Sequence, residues 1–304
     1  MRKTRNIVAG TILAQVVVVL GAWLARASWL PHAIAQAPNA GKTFEALARN
    51  APHADGAREL RVEVGPPAAS LSIAVLDPPS YPRATIFVLH GIRDRKTSMM
   101  GFGRSLSNAG YRAVLVDLRG HGQSTGEWLS FGDREGRDLM QVADLLATRG
   151  LLALPLGVYG PSYGGAAGLQ LARRDPRVRA VVTVATFTRM KDIVPLYGER
   201  VVPTWFVTRS DMFRAIDRAG VLGAFDPDGS DSVAAIAATK AHVLLFHGRA
   251  DANIPWQHAE SLHGAAPDHS TLRLIDGRDH STIMSDETVM QESLAWFARW
   301  VAEP

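Results

Sequence analysis

Short apolar segments alternate with longer amphipathic segments from Arg61 to the end of the chain. The short segments are apolar at consecutive positions, as strands must be when helices cover both faces of a parallel sheet. Predicted buried strands are Thr85–Leu89, Ala113–Val116, Leu156–Tyr159, Ala180–Ala185, His242–Phe246 and Thr271–Ile275. Two further segments, Arg61–Val64 and Ser70–Leu76, are predicted to pair as strands before them.

Helical periodicity fills the intervals between most of these strands. The predicted helices are Thr97–Ala109, Asp133–Arg149, Tyr163–Arg173, Trp256–Ala265 and Asp286–Val301. Alternating strands and helices predict an α/β fold with a doubly wound, mostly parallel sheet of about eight strands.

The interval from residue 186 to 239 is far longer than a crossover helix requires, and it is rich in aromatic residues and proline. We predict a cap inserted after the sixth strand, over the carboxyl edge of the sheet. Its aromatic side chains either form the core of the cap or line a substrate pocket, and burial among themselves is the more common use of such clusters.

The N-terminus differs from the rest of the chain. A basic head of Arg2, Lys3 and Arg5 precedes the charge-free segment Ile7–Ala25, which as a helix would be roughly 28 Å long and could cross a bilayer. We predict a signal anchor or a signal peptide in residues 1–27, a linker in 28–57 and the main domain in 58–304. An uncleaved anchor would place that domain on the periplasmic side of the inner membrane, and cleavage would secrete it.

Composition narrows the chemistry. Of the 304 residues, 47% are hydrophobic and 20% are charged, which is typical of a globular protein. A net charge of +4 without a long basic segment argues against a nucleic-acid partner. The chain has no cysteine, which excludes thiolate catalysis and cysteine-bound zinc. Its histidines show no metal-ligand spacing, so we predict neither a metal nor a cofactor.

The segment Gly160-Pro161-Ser162-Tyr163-Gly164 carries the sharpest chemical signal. It matches the pattern G-x-S-x-G between a predicted strand and a predicted helix. In that setting the chain turns sharply, Gly160 and Gly164 leave room for the turn, and Ser162 projects its hydroxyl group at the top of the sheet. Ser162 is therefore the predicted nucleophile.

Four segments together resemble the α/β-hydrolase superfamily, over roughly residues 83 to 301. They are His90-Gly91, Asp117-Leu118-Arg119-Gly120-His121-Gly122-Gln123-Ser124, the Ser162 turn, and His247-Gly248-Arg249-Ala250-Asp251 with Asp279-His280. The chain is most similar to bacterial serine hydrolases of the serine aminopeptidase-like and dienelactone hydrolase-like groups.

The resemblance implies a catalytic triad of Ser162, Asp251 and His280. His280 would act as the general base, and Asp251 would hold the imidazole in the required tautomer. Asp276 remains a second candidate for the acid. The segment from Asp117 to Ser124 is predicted to be structural rather than catalytic.

The resemblance also implies an oxyanion hole made of two backbone N–H groups, those of Tyr163 and Ile92. Arg93 and Arg95 follow Ile92. They either reach the mouth of the cleft, where they would favour an anionic or polar acyl group, or belong to a solvated basic loop.

These residues predict a serine hydrolase that cleaves an ester, thioester or amide through an acyl-enzyme. Among these activities, carboxylic ester hydrolysis is the one we favour. The expected partners are a small acyl substrate and, through the N-terminal helix, a membrane. A peptidase or an acyltransferase would use the same triad. A membrane-tethered binding protein without activity is the alternative that is not an enzyme.

Overall fold

The computed structural model describes residues 15–49 and 54–301. One sheet of eight strands forms its centre, in the spatial order β1-β2-β4-β3-β5-β6-β7-β8. β1 pairs with β2 and β2 with β4 in antiparallel fashion, and every other pair is parallel. The predicted mostly parallel sheet of eight strands is confirmed.

The strands are β1 (Arg58–Val64), β2 (Ala69–Leu76), β3 (Thr85–Leu89), β4 (Arg112–Val116), β5 (Leu156–Pro161), β6 (Val178–Val184), β7 (His242–Gly248) and β8 (Ser270–Ile275). The described helices are α1 (Gln15–Leu24), α2 (Arg26–Ala35), α3 (Phe44–Ala48), α4 (Met100–Asn108), α5 (Asp133–Thr148), α6 (Tyr163–Ala172), α7 (Met190–Val201), α8 (Arg209–Gly223), α9 (Ser232–Ala238), α10 (Gln257–Ala265) and α11 (Glu287–Trp300).

The central strands are buried on both faces, which explains their uninterrupted apolar sequences. Every residue of β2, β3 and β5 is buried. Apolar side chains from the two faces of the sheet contribute to separate clusters, one packed against α5 and α6 and the other against α4 and α11. Burial of both faces is the dominant stabilising contribution in such a layered fold.

The strand order brings the predicted catalytic residues to one edge of the sheet. β5, β6, β7 and β8 are parallel neighbours in that order. Ser162 follows β5, Asp251 follows β7 and His280 follows β8. Because the carboxyl ends of parallel strands share an edge, all three residues lie at the edge where α/β sheets bind ligands.

Three helices, α7, α8 and α9, occupy the chain between β6 and β7. Two of these helices, α8 and α9, begin at a residue whose side chain caps the helix N-terminus. The Thr208 hydroxyl group accepts a hydrogen bond from the backbone N–H of Asp211 (3.2 Å) at α8, and the Asp231 carboxylate accepts one from Ala234 N–H (2.9 Å) at α9. Such caps satisfy backbone donors that a helix leaves free at its first turn.

The prediction for the N-terminal region is a spanning helix in residues 7–25 followed by a linker. Residues 7–14 of the predicted span lie outside the described residues. Within 15–49 and 54–301, no single helix is long and apolar enough to cross a membrane; α1 and α2 meet that test only together, and they are bent by 71°.

Where the linker is predicted, helix α2 packs on the domain, and the chain that follows α2 pairs with the surface of the domain. Leu30 of α2 packs with Val207 and Met212 in the region between β6 and β7. After α2, Gln36 forms a β-bridge with Trp128. Contacts so distant in sequence cannot be recognised from the weak local periodicity of the segment.

Candidate active site

Ser162 lies at the turn between β5 and α6, in a strained backbone conformation. Its φ and ψ are 49° and −114°, a region that residues with a Cβ rarely adopt. The turn is held against β6 because Ser162 N–H donates a hydrogen bond to the Val184 carbonyl oxygen (2.7 Å). Strain of this kind persists where surrounding structure enforces it, and it clusters at functional sites.

The two glycines of the motif have the steric role that the sequence predicts. A Cβ on Gly160 would lie 2.4 Å from the backbone carbon of Gly164, and a Cβ on Gly164 would lie 2.7 Å from the His90 carbonyl oxygen. Neither contact can be relieved by turning a side chain, because the atoms that are met belong to the backbone. These positions therefore require glycine for the turn to pack under the loop after β3.

Asp251 and His280 come together although the chain separates them by a strand and a helix. His280 Nδ1 lies 2.7 Å from Asp251 Oδ2. The other carboxylate oxygen accepts hydrogen bonds from the backbone N–H groups of Asn253 (2.8 Å) and Ile254 (2.9 Å). A carboxylate only accepts, so His280 Nδ1 carries the proton and Nε2 keeps its lone pair free for a proton from elsewhere.

The Asp251 carboxylate is held in its charged form. Burial raises its pKa, but hydrogen bonds from His247, His280 and Ile254 outweigh burial and leave the pKa well below its ordinary value. His247 Nε2 contacts both the Ile254 carbonyl oxygen (2.8 Å) and Asp251 Oδ2 (3.4 Å). Since both partners are acceptors, His247 donates from Nε2 and braces the turn that presents Asp251.

The competing acids near His280 have other contacts. Asp276 has a side chain that is 88% exposed and forms a salt bridge with Arg249 (3.0 Å). The Asp279 carboxylate accepts hydrogen bonds within its own turn, from the backbone N–H groups of Ser281 (3.0 Å) and Thr282 (2.8 Å). Asp251 is thus the one candidate acid among these three whose carboxylate contacts His280.

Ser162 opens onto an apolar cavity of about 360 Å³. Its wall comes from the loops after β3, β4 and β7, the chain between β6 and β7, and helix α2. Among the described residues that line this wall, Arg93 alone is charged. Arg93, Phe131 and Ser162 all line the cavity, and all three have positive φ angles, so non-glycine strain is concentrated around it.

The two predicted oxyanion donors, Tyr163 and Ile92, line the same cavity as Ser162. Their role stays a prediction. The phenol group of Tyr163 donates a hydrogen bond to the buried Glu135 carboxylate (2.7 Å), which fixes the start of α6. Burial raises the pKa of Glu135, but hydrogen bonds from Ser130 and Tyr163 outweigh it and lower the pKa. Sequence reasoning missed Glu135, because nothing in its helical setting signals this contact.

Comparison with known proteins agrees with this architecture. The family described as "Serine aminopeptidase, S33" matches residues 80–218. An esterase of Pyrococcus furiosus superposes with a TM-score of 0.62, at 19% identity, over 86% of this chain and 96% of its own. The chain has an α/β-hydrolase-like fold.

Two other proteins are similar to this chain in sequence or in fold. The uncharacterized protein YfhR of Escherichia coli strain K12 is 27% identical over 206 residues, which are 67% of this chain and 65% of YfhR. The chain thus matches slightly less than two thirds of that relative. A puromycin-hydrolyzing peptidase of Mycobacterium tuberculosis has a TM-score of 0.59 at 16% identity, over 82% of this chain and 40% of its own. At such identities, the solved structures share the fold alone.

The segment from Asp117 to Ser124 makes buried contacts that join neighbouring loops. The Asp117 carboxylate accepts hydrogen bonds from Lys96 Nζ (2.9 Å), Lys96 N–H (2.6 Å) and Gln123 N–H (2.9 Å). Lys96 and Asp117 side chains are each only 1% exposed. The pair joins the loop after β3, which carries Ile92, to the loop after β4.

His121 in the same segment is buried among other rings. Its Nδ1 lies 2.9 Å from the Arg119 carbonyl oxygen, and its ring packs against those of His90 and Tyr163. Burial lowers the pKa of His121 to about 4. The ring is therefore neutral near pH 7 and supports the loop instead of exchanging protons with a substrate.

Breaking the buried ion pair between Lys96 and Asp117 should destabilise the protein. We expect Lys96→Met to lower the free energy of unfolding by about 3–5 kcal/mol, because it leaves the Asp117 charge buried without its cation. Urea unfolding monitored by tryptophan fluorescence measures this change.

Two controls separate charge from shape. Lys42→Met makes the same substitution at an exposed lysine and should stay within about 0.5 kcal/mol of wild type. Adding Asp117→Asn to Lys96→Met removes the uncompensated charge and should restore part of the loss. A Lys96→Met protein as stable as wild type would show that this pair does not hold the two loops together.

Proposed function

We propose that this chain is a carboxylic ester hydrolase that acts through a covalent acyl-enzyme on Ser162. The Ser162 hydroxyl oxygen attacks the ester carbonyl carbon while its proton moves to His280 Nε2. The negative oxygen that forms is stabilised by the N–H groups of Tyr163 and Ile92. The tetrahedral intermediate then collapses, and the alcohol leaves with the proton from His280.

A water molecule completes the cycle. His280 accepts its proton, the hydroxide attacks the acyl carbon, and the acid leaves as Ser162 recovers the proton. Asp251 remains ionised throughout and stabilises the imidazolium form of His280. The observation that carries this proposal is the Asp251–His280 hydrogen bond of 2.7 Å at the sheet edge that also holds the strained Ser162 turn.

The cavity favours an ester over an aminopeptidase substrate. An aminopeptidase must bind the free ammonium group of its substrate, which calls for a carboxylate near the nucleophile. The cavity wall, all of which lies within the described residues, contains no Asp or Glu, and its one charged residue, Arg93, is itself a cation. An apolar acyl group fits this wall better than an aminoacyl group does.

Rates on paired substrates test this function. We expect fluorophosphonate to label the wild-type chain, and p-nitrophenyl butyrate to be hydrolysed with a kcat/KM at least about 100-fold above that for the p-nitrophenyl ester of alanine, because the two esters share a leaving group and the ammonium group of the second enters an apolar wall unpaired. Mass spectrometry of the labelled peptide identifies the modified residue. Faster hydrolysis of the alanine ester would favour an aminopeptidase, and absence of both activities and of labelling would remove the enzyme proposal.

We also propose that the N-terminal segment attaches the enzyme to a membrane, with the hydrolase domain on the periplasmic side. The exposed apolar side chains of α1 support this, since Val16, Val18 and Leu24 are 55%, 70% and 66% exposed. Such a continuous exposed apolar surface is unusual on a protein that contacts only water. Sedimentation of the full chain with membranes, and its release by detergent but not by salt, would support attachment; recovery in the soluble fraction would contradict it.

A further inference from the structure

Part of the wall beside Ser162 comes from outside the domain that the sequence predicts. Trp29, Leu30, Ala33 and Ile34 of helix α2 line the cavity that Ser162 also lines. They face the cavity together with residues of α7, among them Tyr197. A helix that precedes the first strand of the sheet thus completes the apolar wall.

Contacts with α8 hold α2 in this position from one side. Arg26 Nε lies 3.1 Å from Asp211 Oδ1, in a pair whose side chains are 21% and 9% exposed. Leu30 is 6% exposed and packs with Met212 and Ala215. The helix therefore rests on the chain between β6 and β7 through both apolar and ionic contacts.

The chain that leaves α2 is hydrogen-bonded to the loop after β4. Leu129 N–H donates to the Ala35 carbonyl oxygen (2.8 Å), and Ala37 N–H donates to the Glu127 carbonyl oxygen (2.9 Å). The Asn39 side-chain amide donates to the carbonyl oxygen of Ser124 (3.0 Å). With α8 on one side and this loop on the other, α2 is fixed at both ends of its cavity-lining face.

The position of His280 indicates which half of an ester the cavity receives. His280 must give its proton to the leaving alcohol, so the alcohol lies on the His280 side of Ser162. The cavity is lined by Ser162, Tyr163 and Ile92, but His280 is not among its lining residues. The cavity therefore lies on the acyl side of the scissile bond.

We infer that α2 is a specificity wall of the acyl pocket, and that the preferred substrates are esters whose extended apolar acyl chain lies against Ala33. This inference rests on the proposed ester hydrolase function and names its substrate class. Burial of each CH2 group against such a wall raises kcat/KM by about fourfold while the chain still fits. Acyl length, rather than alcohol length, should then govern the rate.

A bulky side chain at Ala33 tests the wall directly. Ala33 is exposed and lines the cavity, so a larger side chain there enters the pocket and not the protein core. We expect Ala33→Phe to lower kcat/KM for p-nitrophenyl octanoate by at least about tenfold and to leave p-nitrophenyl acetate within about twofold. The intermediate variant Ala33→Val should give a smaller loss on octanoate, and it takes the place of Ala33→Phe if that variant fails to fold.

Ala27→Phe is the matched control. Ala27 is exposed on the same helix and does not line the cavity, so this variant should keep the wild-type preference for acyl length. Ethyl acetate and octyl acetate form a second substrate pair, which varies only the alcohol. Their rate ratio should be the same in Ala33→Phe as in wild type.

Three results would overturn the inference while the proposed function stands. Unchanged octanoate hydrolysis in Ala33→Phe would show that α2 does not contact the acyl chain. An equal loss in Ala27→Phe would show a general effect of altering the helix. A selective loss on octyl acetate would place the cavity on the alcohol side. Failure of the wild-type chain to hydrolyse any of these esters would instead overturn the proposed function itself.

Discussion

Replacing Ser162 with alanine is expected to lower kcat for ester hydrolysis by about 10⁶-fold and to abolish fluorophosphonate labelling. The variant removes the only atom that forms the acyl-enzyme, whereas the cavity and the remaining backbone donors stay in place. Ester binding should change little, because the apolar wall and not the hydroxyl group holds the acyl chain. Single-turnover kinetics with p-nitrophenyl butyrate would measure the residual rate.

Stability is the control for this variant. Ser162 makes no side-chain capping hydrogen bond to α6, so we expect the free energy of unfolding of Ser162→Ala to lie within about 0.5 kcal/mol of wild type. Ser293 serves as a control because it is another buried serine, whose hydroxyl group donates a hydrogen bond to the Val289 carbonyl oxygen within α11. Ser293→Ala should keep full activity and full labelling. Labelling of Ser162→Ala at wild-type level would assign the nucleophile to another residue.

The second large effect is expected for Asp251→Asn, with kcat lower by about 10⁴-fold. The geometry explains the loss. An asparagine here would keep its carbonyl oxygen on the backbone N–H groups of Asn253 and Ile254, which turns its NH2 group toward His280. His280 would then accept on Nδ1 and carry its proton on Nε2, the wrong tautomer for taking a proton from Ser162.

Asp276→Asn is the matched control, since it makes the same substitution at the second candidate acid, which follows β8. Within the described residues, Asp276 pairs with the half-exposed Arg249, so activity and stability should stay close to wild type. The kcat values of both variants on p-nitrophenyl butyrate, together with their circular dichroism spectra, distinguish the outcomes. A severe loss in Asp276→Asn with none in Asp251→Asn would transfer the role of the acid to Asp276.

Local patterns were sufficient to predict the sheet and five of the eleven described helices, namely α4, α5, α6, α10 and α11. Each predicted strand coincides with an observed one within a few residues at either end. For the central strands β2, β3 and β5 the reason is that every residue is buried, so their sequences are largely apolar. The turn at Ser162 was equally accessible, since a sharp strand-to-helix turn leaves no room for a Cβ at Gly160 or Gly164. In these cases the residues that experience the burial or the steric crowding are the same few residues whose pattern predicts the structure.

The pairing of Asp251 with His280 rested on resemblance, and the structure supplies the contact. The sequence alone does not distinguish the three candidate acids, Asp251, Asp276 and Asp279, because each is a carboxylate in a polar loop near the end of a strand. What separates them is the turn in which each carboxylate is held. Of these three, the Asp251 carboxylate alone accepts two backbone N–H groups on Oδ1 while Oδ2 contacts both His247 and His280.

The sequence by itself determined the class of fold, the strained turn and Ser162 as the predicted nucleophile. Strand burial and the steric limits of the turn both depend on residues that are neighbours in the chain, so a local sequence pattern predicts them. Only the tertiary structure decided how the pocket is enclosed. The segment after Ala27 has weak periodicity and reads as a linker, yet α2 packs on α8 and completes the wall beside Ser162. Its position depends on partners such as Asp211 and Leu129, which are far away in the chain, and contacts over such separations leave no local pattern.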